Sequence, residues 1–354
     1  MKILHITESF ASGTYIYLKN VCEFLIKHNI DVTIIYSDKR DNFNNETLYK
    51  DFNKSIRLIK VDLNKEINLI KDLKISFNIA QLIKEINPDI VHLHSSKASV
   101  IGRWSSFLSF HKHKLFYTPH GYSFLREDIS KPKQFFYKNI EKYTQVIFGG
   151  TTIACGDTEY EIAKQIGLSK LVRNGINVTK ISNYYKPKHN NRLTFGIIGR
   201  ITAQKNPKMF NDIALKFPQY DFIWIGDGEL RNLLTANNIK ITGWINNSET
   251  IFQHINSIDV VLQTSLWEGL PLALLEGLAL QKPIVATNVI GNKDVVQHTI
   301  NGYLFTTINE LDNLLYNLEN EDFRLKMGEN ALKICKDRFD NNVNLSELLK
   351  IYKK

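Results

Sequence analysis

Cysteine is scarce in this chain. Cys22, Cys155 and Cys335 are the only three in 354 residues, and they lie far apart. An odd, scattered set excludes a disulfide framework and matches no zinc-site spacing. A reducing compartment is the simplest setting. Long apolar runs are missing too. The longest, Val146–Gly156, has the size of a buried strand, well short of the roughly 18 residues of a membrane span. The opening MKILHITESF is too short in its apolar run for a signal peptide and alternates like a strand. Any membrane contact is therefore expected to be peripheral. No repeat, low-complexity tract or Lys/Arg block occurs, and no G-x-G-x-x-G follows the first apolar run, so a dinucleotide-binding fold is poorly supported.

What is present is ordinary soluble composition, 43% hydrophobic and 23% charged, which excludes disorder, collagen and coiled coil. The length predicts about two domains. Acidic residues are in deficit in one half only. Residues 1–190 hold 28 Lys/Arg against 18 Asp/Glu, and residues 191–354 hold 17 against 18, so the net +9 is carried entirely by the first half. Such a half is expected to face something anionic: nucleic acid, an acidic membrane surface or a phosphorylated substrate.

Short β-rich runs alternate with amphipathic helical stretches. The runs are Lys2–Ile6, Val32–Tyr36, Ile56–Val61, Ile90–His94, Leu115–Thr118 and Val146–Cys155. They resume at Leu193–Ile198, Phe222–Ile225, Ile239–Thr242, Val260–Gln263, Ile284–Ala286 and Tyr303–Phe305. Continuous apolar strands separated by helices indicate parallel sheets covered on both faces. Two sets predict an α/β chain of two doubly wound domains, residues 1–175 and 190–340, joined by a polar, Asn-rich stretch that carries Pro187. Glu321–Lys354 reads as two helices, the last of which, about 341–354, is a candidate to pack back on the first domain.

Ligands of doubly wound sheets bind beyond the carboxyl ends of the strands. Four segments in such positions carry chemistry. Ser9–Thr14, containing Gly13, lies between the first strand and a helix, where backbone can approach an anion; a plain tight turn is the alternative. His120 stands beside Gly121 after the fifth strand, as a donor or base, or as a structural histidine. Arg200 and Lys205 follow the first strand of the second half and suit a diphosphate, or are solvated charges. The fourth segment is Trp267–Gly277. Pro271 suits a first helical position. Glu268 then precedes the helix, and Glu276 sits inside it among leucines. A carboxylate there is costly without partners, and sugar hydroxyls are good partners. The free N–H groups of Leu270 to Leu272 point toward the same region and could take phosphate oxygens. A structural buried Glu is the bland alternative.

In this order, Gly13, His120, Arg200/Lys205 and the E-x7-E pair Glu268/Glu276 resemble the retaining family 4 glycosyltransferases of the GT-B fold, two Rossmann-like domains facing across a cleft. Asn174-Gly175-Ile176, Gly226-Asp227-Gly228 and Asn301-Gly302-Tyr303 extend the likeness along nearly the whole chain. His94-Ser95-Ser96-Lys97, Thr118–Gly121 and Gly291-Asn292-Lys293-Asp294 resemble enzymes of bacterial capsule, exopolysaccharide and O-antigen (lipopolysaccharide) assembly. A departure is the single Gly13 where many relatives have a glycine pair.

The resemblance implies a hexosyltransferase that moves a sugar from a nucleoside-diphosphate donor, UDP or GDP, to a polyprenyl-diphosphate- or other lipid-linked glycan. Arg200 and Lys205 would hold the diphosphate. Glu268 would bind donor-sugar hydroxyls, and Glu276 those of the ribose. Gly13, Gly269 and Leu270 would approach the phosphates, and Trp244 the nucleobase. His120 would assist the transition state beside the donor sugar, so that His120 and Glu268 form the catalytic pair. The chain has no Asp-x-Asp, so no metal cofactor is expected. The basic aromatic segment Phe124–Tyr143 could lie on an anionic inner leaflet or be an ordinary core-facing helix. The expected place is the cytoplasm, peripheral on the inner face of the plasma membrane. A sugar-nucleotide epimerase on the same fold is the rival enzyme. A nucleic-acid-binding protein is the rival of another class, and nothing beyond net charge supports nucleic acid as a partner.

Overall fold

Strand β1 (Lys2–Thr7) buries every residue after Lys2, on both faces. That requires neighbours on both sides and helices above and below. Both are present in the computed structural model, which describes residues 1–10, 12–39, 51–63, 68–187 and 192–354. Residue 11 in the Ser9–Thr14 segment, residues 40–50 and 64–67, and residues 188–191 of the Asn-rich stretch lie outside the described residues.

The chain divides into two compact units: Met1–Leu125 with Ile129–Asn174 and Asn342–Lys354, and Arg126–Asp128 with Gly175–Asn341. In the first unit, β1, β2 (Asp31–Tyr36), β3 (Arg57–Lys60), β4 (Ile90–His94), β5 (Lys114–Thr118), β6 (Thr151–Ala154) and β7 (Ser169–Leu171) form one sheet of order β3-β2-β1-β4-β5-β6-β7. All its pairs are parallel, with His5 opposite His92 and Thr7 opposite His94. Helices α1 (Ser12–Lys27), α2 (Leu69–Ile86), α3 (Ser96–Ser109), α4 (Lys131–Phe148) and α5 (Asp157–Ile166) supply the crossovers. Alternate residues of each strand feed separate cores: Ile3, Ile34 and Phe116 on one face, and Leu4, Ile6 and Val91 on the other.

The second unit contains α6 (Val178–Ser182), β8 (Thr194–Ile198), α7 (Pro207–Lys216), β9 (Asp221–Ile225), β10 (Ile239–Ile241), α8 (Ser248–Ser257) and β11 (Val260–Gln263). After these come α9 (Leu272–Ala279), β12 (Ile284–Thr287), α10 (Asn292–Val295), β13 (Gly302–Phe305), α11 (Leu311–Asn317) and α12 (Glu321–Arg338). Its sheet, β10-β9-β8-β11-β12-β13, is also parallel. Aromatics fill its core, Phe195 stacked on Phe222 and Phe210 edge-on to Trp224. The last helix, α13 (Asn341–Lys353), belongs to the first unit from Asn342 on. It buries Leu345, Leu348, Leu349 and Tyr352 in that unit's core, and the Tyr352 hydroxyl lies 2.5 Å from His92 Nδ1.

Two local expectations need correction. The run Val146–Cys155 is not one strand. Val146–Phe148 complete α4, Gly149 (φ 74°) and Gly150 (φ 97°) break it, and only Thr151–Ala154 pairs. Two consecutive positive φ angles suit glycine alone and stop a helix at once. Pro271 (φ −74°, ψ 109°) is the N-cap of α9 rather than its first helical residue.

Helix α4 is also inverted. Its fully buried residues are the polar Glu141 and Gln145. Tyr117 donates to Glu141 Oε1 at 2.9 Å. Gln145 Nε2 donates to the Leu168 carbonyl at 2.8 Å, and Gln145 Oε1 accepts from Thr152 at 3.1 Å. Arg103, buried on α3, reaches the Gly149 carbonyl at 3.2 Å. Buried polar groups need such partners, so this network fixes which side of α4 faces in. Phe135, Phe136, Tyr143, Val146 and Ile147 are left outside.

Candidate active site

In a doubly wound sheet the strand order reverses at a switch point, and the crevice beyond the strand ends opens there. In the second unit that point is between β8 and β11, and six of its seven nominated residues follow these two strands; Trp244 follows β10 and is exposed. Arg200 comes two residues after β8 and is half-buried. It makes no hydrogen bond or ion pair among the described residues. Lys205 ends a single 3₁₀ turn (Ala203–Lys205). The loop after β11 is laced to this turn: Thr264 Oγ1 donates to the Lys205 carbonyl at 2.7 Å, and the Leu266 N–H to the Gln204 carbonyl at 2.8 Å.

Glu268, nominated to bind donor-sugar hydroxyls, is already engaged by several donors of the chain. It is 6% exposed, and its Oε1 accepts from Lys205 Nζ at 2.8 Å, Gln263 Nε2 at 3.0 Å and Ser265 Oγ at 2.7 Å. Gln204 Nε2 donates to Oε2 at 3.2 Å. This oxygen alone keeps spare accepting capacity. The arrangement makes Glu268 the holder of Lys205. Gln263, Ser265 and Gln204 hold it in turn, and sequence reasoning missed all three. Gly291 packs against the same loop so closely that a Cβ would stand 2.3 Å from the Gly269 carbonyl. The N–H groups of Gly269 and Leu270 find no acceptor among the described residues.

Glu276 is the opposite case. It lies on α9 with protein packed around its carboxyl, although part of the residue remains accessible. Burial lifts its pKa to about 7, and no hydrogen bond or ion pair among the described residues offsets this. Desolvation without a partner disfavours the charged form. The sequence expected this carboxyl to need a partner, and the described residues supply none.

In the first unit the switch point lies between β1 and β4. Gly13 is not in a strained turn. It lies in the first turn of α1 with open space where a Cβ would be, so no conformational need explains it. Tyr17, one turn on, packs edge-to-face on His120 with ring centroids 4.8 Å apart. His120 has φ 55°, a left-handed conformation that costs a non-glycine residue about 1–2 kcal/mol. The turn is held by the Gly121 N–H donating to Glu159 Oε2 at 3.0 Å. Behind His120 runs a line of imidazoles. His120 Nε2 is 3.1 Å from His94 Nδ1, and His94 Nε2 is 2.9 Å from His5 Nδ1. Burial lowers the pKa of His5 and His120 to about 3 and that of His94 well below its usual range. His120 is therefore a neutral hydrogen-bonding group at pH 7 and a poor base. His5, His92 and His94 bring nitrogens within 4.8 Å of one another, as metal ligands would. All but His5 Nε2 already pair with each other, Thr118, Tyr352 or His120. The His-x-His alternation of β4 was the available signal: period two puts both rings on one face.

Residues 8–149 match the family described as glycosyl transferase 4-like, and residues 192–319 that of glycosyl transferases group 1. The chain belongs to these glycosyltransferases. It is 29% identical over 319 residues to the UDP-Gal:alpha-D-GlcNAc-diphosphoundecaprenol alpha-1,3-galactosyltransferase of Escherichia coli, covering 80% of this chain and 79% of that one. It is 24% identical to the capsular polysaccharide biosynthesis glycosyltransferase CapM of Staphylococcus aureus, over 99% and 96% of the two chains. The crystal structure of Anabaena HepE in complex with UDP and glucose superposes with a TM-score of 0.81 at 21% identity, covering 100% of this chain and 99% of that one. The glycosyltransferase has the GT-B fold, built from two Rossmann-like units. Its membership sets aside both the epimerase and the nucleic-acid-binding protein.

Proposed function

We propose that this glycosyltransferase moves a hexose from a UDP-sugar to a lipid-linked glycan in the assembly of a surface polysaccharide, with retention of configuration and without a metal. The observation that carries the donor side is Glu276, a half-buried carboxylate with a raised pKa and no partner among the described residues. Ribose hydroxyls supply the donors it lacks. Arg200, unpaired among the described residues, and Lys205, held by Glu268, meet the diphosphate together with the N–H groups of Gly269 and Leu270. UDP is favoured because HepE is structurally similar and binds it. The acceptor class follows the diphosphoundecaprenol named for the Escherichia coli relative, and the pathway class follows that relative and CapM.

The chemistry asks little of a general base. The bond from the anomeric carbon to the β-phosphate oxygen breaks. The acceptor hydroxyl attacks the same face, and its proton passes to the departing phosphate oxygen. Charge grows on the diphosphate, where two pre-organised cations and a helix N-terminus stabilise it without reorganisation. His120, neutral, offers a hydrogen bond to the donor sugar. A location on the inner face of the plasma membrane goes with such an acceptor, and no helix among the described residues is long and apolar enough to cross a membrane.

The test is a panel of UDP-, GDP- and dTDP-sugars with polyprenyl-diphosphate-linked acceptors, with and without EDTA. Products are identified by mass and anomeric NMR. Transfer from a UDP-sugar, unaffected by EDTA and giving the donor's anomeric configuration, is expected. Full transfer by Glu276→Ala and Arg200→Ala would overturn the site assignment.

A further inference from the structure

The apolar outer side of α4 is larger than a solvated helix needs. Phe135 is 72% exposed, Phe136 55%, Tyr143 58%, and Val146 and Ile147 67% each. Their spacing places them on one side of the helix, opposite Glu141 and Gln145. The side is not a packing accident, because three polar anchors on neighbouring elements hold Glu141 and Gln145 inward. The patch continues past the end of α4. Phe148 meets Trp104 at 5.2 Å and Phe107 at 5.6 Å between ring centroids, and Phe110 beyond them is 83% exposed. Contiguous exposed apolar surface of this kind marks an interaction site.

Its charges say what the partner is. Lys133, Lys138 and Lys142 are exposed on the same helix, whose only acidic residue is the buried Glu141. The outer side of α4 is thus aromatic and aliphatic, and the exposed charges of the helix are all cations, with Lys133 and Lys142 flanking that side and Lys138 nearer Gln145. This is the composition of a helix that lies in the plane of a membrane interface, its rings in the acyl boundary and its lysines among anionic headgroups. An 18-residue helix offers about 27 Å of such contact.

We infer that the outer side of α4, extended by Trp104, Phe107 and Phe110, docks the first unit on an anionic lipid surface. The inference deepens the proposed function, since a lipid-linked acceptor is met at such a surface. It also explains why the excess charge of the chain is confined to its first half. None of these residues belongs to the nominated active site.

The experiment uses the full chain with vesicles of phosphatidylglycerol and phosphatidylcholine, or of phosphatidylcholine alone, and reads co-sedimentation. Two variants are compared with the wild type: Phe135→Ser/Phe136→Ser/Ile147→Ser, and Lys133→Gln/Lys138→Gln/Lys142→Gln. Wild-type protein is expected to bind the anionic vesicles and not the neutral ones, less tightly as salt rises. A lysine near the surface is worth about fivefold in affinity, so the lysine variant should lose roughly a hundredfold, and the apolar variant should also detach. Both should keep wild-type turnover on a short-chain, water-soluble acceptor and lose it on the same glycan embedded in vesicles. Equal vesicle binding by wild type and variants would overturn the inference, as would no binding by the wild type. Wild-type dimerisation abolished by the serine changes, without vesicle binding, would assign the face to a second copy and overturn it too. Failure of transfer to the soluble acceptor by the wild type would count against the proposed function and leave the docking result standing.

Discussion

Glu276→Gln is the sharpest perturbation. In the folded chain its carboxyl titrates near 7, against an ordinary 4.5. Below pH 4.5 the group is protonated in both states and has no effect on stability. Between 4.5 and 7 the unfolded chain ionises and the folded one does not, so stability falls as pH rises, and above 7 the penalty is constant. At 1.36 kcal/mol per pKa unit the plateau is about 3 kcal/mol. Partial access of the residue to water reduces this to about 1–3 kcal/mol. Glutamine keeps the shape and removes the titration. The variant should therefore equal wild type near pH 4.5 and exceed it at pH 8, by about 2–4 °C in melting temperature per kcal/mol. On the proposed role of Glu276, UDP should reverse the order: with ribose hydroxyls donating to the carboxylate, wild type should bind UDP more tightly as pH rises through 7, and the glutamine variant weakly at all pH values. The assays are thermal melts from pH 4.5 to 8.5, with and without UDP, and calorimetric titration of UDP. A melting difference independent of pH, or undiminished UDP affinity in the variant, would refute the argument.

Other outcomes follow from the same geometry. Arg200→Ala should reduce turnover by about 10²–10³, the loss expected for one pre-organised donor at a developing anion, with the acceptor KM nearly unchanged in initial-rate kinetics. His94→Leu leaves His120 Nε2 without its partner and should lower kcat about fivefold, the worth of one hydrogen bond of about 1 kcal/mol. UDP affinity should be unaffected, and His94→Asn, which keeps a polar atom near the Nδ1 position, should lose less. Tyr352→Phe strands the buried His92 Nδ1 and should destabilise the first unit by about 1–3 kcal/mol. Hydrogen exchange in α13 would report it, and unchanged protection there would count against the anchoring role.

Much of the architecture was legible because strands and helices write their period locally. The alternation of apolar runs located twelve strands, and the restart near residue 193 located the second sheet. What failed was short or hidden in apolar continuity. β7 has three residues, none fully buried, and left no pattern. Val146–Phe148 read as strand because three apolar residues look alike in either state, and only the φ angles of Gly149 and Gly150 separate helix from strand there. The site was legible as residue types at strand ends, since the fold puts chemistry in those places. Gln263, Ser265 and Gln204 were not, because glutamine and serine carry no signal until their donors are seen to converge on Glu268.

By itself, the sequence determined the doubly wound class, the two sheets, the list of residues at their carboxyl ends and the uneven charge, all of which depend on local pattern and composition. Only the tertiary structure decided which groups have partners. Glu268 and Glu276 are the same residue type eight positions apart. One accepts from Lys205, Gln263, Ser265 and Gln204, and the other meets no donor among the described residues. Likewise, α4 could have buried its phenylalanines, had Tyr117, Thr152 and Leu168 not held its polar side inward. Whether a group is satisfied depends on atoms distant in the chain, and those distances exist only after folding.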